Sequence, residues 1–185
     1  YGSELHINDN PAEEDSILVK RLRNQGCVVL GKTNTPEFGH KGKTDNAPFG
    51  STKNPWNLEY SPGGSSGGTS AALCSGMIPL GTGSDGGGSI RIPSVLGGLS
   101  GIKTSQGRIP NGGPKPPGSG LLTVKGPMAN TTADTALALD ASVGADPTDI
   151  FSLEGSNPNW SNQLTGNLPK TAIWSPTMGF STVDK

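Results

Sequence analysis

Two serines stand where they could carry chemistry in this chain. Ser65 and Ser89 each follow a Gly-Gly dipeptide, and each stands beside a run that can start a helix. A helix N-terminus presents unpaired N–H groups and a partial positive charge, the features that stabilise a developing oxyanion. Glycines ahead of such a serine let a substrate carbonyl reach main-chain donors with no Cβ in the way. The pattern suits a serine nucleophile with a backbone oxyanion hole. It also suits a phosphate-binding nest or plain tight turns, and the residue types leave both open. If a serine attacks, histidine is a poor candidate for its base, because His6 lies near a terminus and His40 in a loop. Lysine is the usual substitute.

Two other motifs in the same region fail. Gly81-Thr82-Gly83-Ser84-Asp85-Gly86 has the G-x-G-x-x-G form of a dinucleotide site, but no Asp or Glu occurs between Asp85 and Asp134 to hold a ribose. Gly64-Ser65-Ser66-Gly67-Gly68 has the G-x-S-x-G form of a nucleophile elbow, in which the histidine follows the serine. Here both histidines precede it.

The elements that must position these serines alternate between helix and strand. Asp15-Ser16 caps a helix with Ile17, Leu18 and Leu22 on one stripe, closed by Gly26. Cys27-Val28-Val29-Leu30 has the profile of a short buried strand. Residues 32–62 are turn-rich and predict loops with one helical turn. Small residues from Thr69 to Gly76 predict a helix packed close on a sheet, followed by a buried strand over Met77–Gly81. Ile90-Arg91-Ile92-Pro93 opens a helix with proline in its first turn. Residues 107–120 predict a long irregular loop. Thr131-Thr132-Ala133-Asp134 has capping-box spacing and starts a helix through Val143, closed by Gly144. Thr171-Ala172-Ile173-Trp174 is a last strand candidate. This is α/β layering with no internal repeat and no marked domain boundary.

Of the 185 residues, 29 are glycine and 16 proline, but the glycines cluster, which indicates tight turns and close backbone approaches. A formal net charge of −1 argues against a nucleic-acid or polyanion partner. No apolar run reaches the length of a membrane span. Cys27 and Cys74 lie far apart in no metal-like spacing, so a free-thiol, cytoplasmic protein without metal or disulfide scaffold is expected.

The stretch from Gly63 to Arg91, GGSSGGTSAALCSGMIPLGTGSDGGGSIR, resembles the signature of the amidase signature family of serine hydrolases. The resemblance extends to Val29-Leu30-Gly31-Lys32-Thr33-Asn34, to Phe49-Gly50 with Lys53-Asn54-Pro55-Trp56, to Gly107-Arg108-Ile109-Pro110, and to Gly126-Pro127-Met128 with Thr132-Ala133-Asp134. It implies an α/β fold, part of a mixed central sheet covered by helices on both faces, with residues 1–185 forming one domain truncated at both ends. It also implies a Ser–cis-Ser–Lys mechanism. Ser89 falls on the nucleophile and Ser65 on the bridging serine, with the Gly64–Ser65 peptide cis. Gly86, Gly87 and Gly88 fall on the oxyanion hole, and Ser66, Asp85 and Ser84 support the network. Asp85 is expected to hold the loop by hydrogen bonds, and Arg91 to anchor the helix start.

The lysine that the family uses would lie ahead of Tyr1. Lys32, Lys41, Lys43 and Lys53 occupy positions that the family fills otherwise, so the chain alone is expected to be inactive. The implied reaction is hydrolysis of a carboxylic amide to acid plus ammonia or amine through an acyl-enzyme, with no cofactor and no metal. The expected partner is a small-molecule amide, without nucleic acid or membrane, and the full-length parent is a possible homodimer. The alternative is an amidotransferase A-type subunit, or a non-hydrolytic amidase-like protein working with partner subunits. The loop from Asn111 to Lys125 looks nearer to that of stand-alone amidases. Gly97 to Ser105 departs from the family's "CGxxGLKPT" by lacking its cysteine and proline, which bears on packing behind the site.

Overall fold

The computed structural model describes residues 1–112, 122–154, 158–166, 170–179 and 182. Helix α1 spans Ile17–Asn24, and the hydroxyl of Ser16 caps it by accepting from the amide of Val19. Gly26 follows with φ +86°, the left-handed residue that ends the helix. A hairpin pairs β1, Asp45–Asn46, with β2, Gly50–Ser51. Helix α2, Gly67–Cys74, leads into β3, Leu80–Asp85, and then α3, Arg91–Gly97. Strands β4, Ser100–Gly101, and β5, Val124–Ala129, precede α4, Thr132–Ser142, and the short α5, Trp160–Gln163. Helix α4 starts where the sequence predicts, with the Thr131 hydroxyl accepting from the amide of Asp134 at 3.0 Å.

The main sheet has the order β3-β5-β4, and both pairings are antiparallel. Side chains alternate between its faces. On one face Leu73, Ile90 and Met128 form a buried cluster that joins α2 to the sheet. Leu80 packs towards a second cluster of Leu18, Leu22, Ile109 and Leu139, which brings α1 and α4 together. Arg21 reinforces that junction, donating from its guanidinium to the carbonyls of Ser142, Gly144 and Ala145. Among the described residues, no helix is long and apolar enough to cross a membrane.

Four expectations need correction. Cys27–Leu30 forms no strand, and Val28 and Leu30 are 80% and 73% exposed. An apolar β-branched run specifies burial, but a strand also needs a neighbour to pair with, and this run has none among the described residues. The strand placed at Met77–Gly81 lies instead at Leu80–Asp85, with Met77 exposed. Its register is set by pairing with Val124–Ala129, a long-range term that local hydrophobicity does not carry. Thr171–Trp174 is not a strand either, and Ile173 and Trp174 stand almost bare in solvent. Finally, the segment read as a loop up to Lys125 gives way at Val124 to β5, the central strand. Most of the irregular loop predicted over 107–120 lies outside the described residues.

Candidate active site

Two loops meet at the edge of the sheet. The first, Pro62–Ser66, runs into α2 and contains a cis Gly64–Ser65 peptide bond. Ser65 and Ser66 are both buried. The Ser65 carbonyl accepts from the hydroxyl of Thr35 at 3.2 Å, and the Ser66 carbonyl accepts from the amide of Ser70 as α2 begins. The second loop, Asp85–Ile90, joins β3 to α3 and carries Ser89, which is half-buried. The loops are joined by main-chain atoms: the Ser66 amide donates to the Ser89 carbonyl at 3.2 Å. The Ser66 hydroxyl then accepts from the amide of Ser84 at 3.3 Å, tying the first loop to β3. Among the described residues, neither the Ser65 nor the Ser89 hydroxyl has a hydrogen-bond partner.

Asp85 organises the second loop. Its side chain is fully buried, with one carboxylate oxygen accepting from the Gly88 amide at 2.8 Å. The other accepts from the amides of Ile90 and Arg91 at 3.1 and 3.3 Å. The Arg91 guanidinium donates to both oxygens at 3.0 Å. Lys103 approaches to 3.4 Å and also donates to the main-chain carbonyl of Asp85. Burial alone would raise the carboxyl pKa. The Arg91 guanidinium and the three amides outweigh it and hold the group well below the usual carboxylate range. Asp85 is therefore a permanent anion, suited to fixing a loop and not to donating a proton.

The Gly88 amide requires a correction. The family resemblance assigns it to the oxyanion hole, but it donates to Asp85, and Gly88 adopts φ +125°, a conformation that favours glycine. Within this loop the amides of Gly86, Gly87 and Ser89 have no acceptor among the described residues. An aspartate followed three residues later by glycine is a local side-chain-to-amide pattern, so this use of Gly88 had a signal. Ser84 contributes its amide. Its side chain alternates to the face opposite Gly83, beside whose α-carbon the Ser66 hydroxyl lies. Lys103, Thr35 and Thr44 were missed, since each acts through contacts distant in sequence.

No described lysine is hydrogen-bonded to Ser65. Lys41 and Lys43 are both paired with Asp45, and Lys32 is exposed. Burial, with the neighbouring Lys32 charge, lowers the pKa of Lys125. Its Cα partner is Ser84, so it projects from the face of β5 that turns away from Ser66. Among the described residues the arrangement brings together two uncommitted hydroxyls and free main-chain amides, with no lysine hydrogen-bonded to either serine.

A family model described as Amidase matches residues 1–173. An acylamidase of Rhodococcus erythropolis is 44% identical over 184 residues, covering 95% of this chain and 37% of that protein. The A-type subunit of a glutamyl-tRNA(Gln) amidotransferase from Pseudomonas syringae pv. syringae is 41% identical over 177 residues, covering 96% and 36%. Among solved structures, a 6-aminohexanoate cyclic dimer hydrolase complexed with substrate superposes with TM-score 0.79 at 38% identity, over 84% of this chain and 33% of that one. A bacterial aryl acylamidase assigned to the amidase signature enzymes gives TM-score 0.76 at 35% identity, over 84% and 32%. The chain thus spans little more than a third of the length of the curated relatives it matches.

Proposed function

The chain belongs to the amidase signature family, and from that premise we propose that it forms the nucleophile-bearing part of an amide hydrolase. In this reading Ser89 attacks the amide carbonyl, and the amides of Gly86, Gly87 and Ser89 stabilise the oxyanion. The Ser65 hydroxyl passes the Ser89 proton to a neutral lysine supplied from outside these residues. The same relay returns the proton to the leaving nitrogen, and water then releases the acid from the acyl-enzyme. No metal or cofactor enters the steps.

One observation supports this reading above others: the Ser65 and Ser89 loops are joined by their main chains while both hydroxyls stay uncommitted. A phosphate nest would use the amides but would have no need of two free hydroxyls. The similarity to an acylamidase extends the proposal to an acyl amide substrate of small or medium size. The comparable identity to an amidotransferase component favours a second reading, in which the same serine releases ammonia to a partner-bound acceptor.

A fluorophosphonate probe on the enzyme that carries this chain tests the proposal. Labelling that disappears in Ser89→Ala, together with amide turnover without added partners, supports the hydrolase. Labelling with turnover only in the presence of partner subunits supports the second reading. Absence of labelling in a folded enzyme at neutral pH removes both.

A further inference from the structure

Resting on the roles proposed for Ser65 and Ser89, the geometry points to Thr44 as the positioning residue of the Ser65 loop. Thr44 is fully buried. Its hydroxyl donates to the carbonyl of Gly63 at 2.8 Å and accepts from the amide of Gly67 at 3.2 Å. One side chain therefore bridges the two ends of the stretch that contains Gly64, Ser65 and Ser66. A threonine hydroxyl has one donor and two acceptor sites, so both bonds are made at once. Water does not reach the site to replace them. Removing the oxygen leaves a buried carbonyl and a buried amide without partners.

Thr44 is itself held. Its carbonyl accepts from the Thr52 amide at 3.0 Å, and β1 begins at the next residue, so the β1–β2 hairpin fixes its backbone. The preceding residues form a wall against the loop: a Cβ built on Gly64 would lie 2.7 Å from the Lys41 carbonyl oxygen and 2.8 Å from the Lys43 nitrogen. A Cβ on Gly67 would collide with the Thr44 hydroxyl. No side chain fits between, and the main chain of 63–67 rests on the segment that ends in Thr44. The Ser66 amide carries this placement on to Ser89. A shift of about 1 Å at a reacting group costs on the order of 100-fold in rate, so a clamp on both ends of the Ser65 loop controls the alignment of its hydroxyl.

The test compares Thr44→Val, which keeps the shape without the hydroxyl, with Thr44→Ser, which keeps the hydroxyl, in the enzyme that carries this chain. The readouts are the rate of fluorophosphonate labelling, kcat and KM on an acyl p-nitroanilide, and hydrogen exchange at the Gly67 amide. T44V is expected to lower kcat and the labelling rate by about 10- to 100-fold with KM within about threefold. It should also speed Gly67 exchange by about tenfold or more. T44S is expected to restore most of the rate and the protection. Wild-type behaviour in T44V overturns the proposal, as does a T44S variant as slow as T44V, which would assign the effect to the methyl group. Should T44V fail to fold, T44S decides: a restored rate supports the clamp and a lost rate overturns it. A wild-type enzyme that takes no probe and hydrolyses no amide removes the function proposed above. The clamp then stands or falls on Gly67 exchange in T44V.

Discussion

The amide of Ser66 donates to the carbonyl of Ser89 at 3.2 Å. The link uses main-chain atoms only, so replacing either candidate hydroxyl leaves the two loops joined.

Ser65→Ala should therefore separate chemistry from folding. In the enzyme that carries this chain, kcat is expected to fall by about 10²–10⁴-fold, the range for losing a proton-relay member. The melting midpoint should stay within about 2 °C of the parent, since the serine hydroxyl makes no bond that the fold needs. Full turnover in S65A removes the bridging role.

Asp85→Asn should act on stability first. It leaves the Arg91 guanidinium facing a neutral group and turns an amide NH₂ towards main-chain donors, a loss of about 3 kcal/mol. The pH dependence follows from the depressed carboxyl. The unfolded chain takes up the proton first, so the stability contributed by Asp85 is complete above the ordinary carboxylate range. It is lost as pH falls through that range towards the depressed value. Denaturant titrations of parent and D85N should differ most at neutral pH and converge below about pH 4. A constant difference across that window would contradict the assignment.

What was legible in the sequence was what depends on near neighbours. The Ser16 and Thr131 caps, and the glycine ends of α1 and α4, rest on contacts within a few residues. The Gly-Gly-Ser stretches announced two loops beside helix starts for the same reason. Strand pairing was not legible. The start of Val124–Ala129 reads as the end of a loop, yet the segment is the central strand, because its partners lie about 30 and 40 to 50 residues earlier. Val28 and Leu30 read as core and stand exposed, since nothing local specifies what covers them. The commitment of Gly88 to Asp85 was within local reach. The Thr44 and Lys103 contacts cross long stretches of chain and leave no local pattern.

Thr131→Ala provides a control far from the chemistry. Loss of the cap at the start of α4 should cost about 1 kcal/mol in denaturant unfolding and leave kcat unchanged. A stability change near zero would mean that the capping bond contributes nothing to the fold.

The 185-residue chain expressed alone should turn over no amide, because none of its described lysines is bonded to Ser65. The check is a sensitive anilide assay on chain purified beside an S89A preparation. Turnover present in the first and missing from the second would place the base within these residues.

The most direct measurement traps the acyl-enzyme of the enzyme that carries this chain with a slow acyl donor and maps the modified peptide by mass spectrometry. A single adduct on Ser89 that water slowly removes is the expected result. An adduct on Ser65 or on any other residue, or steady turnover with no serine ester formed, would contradict it.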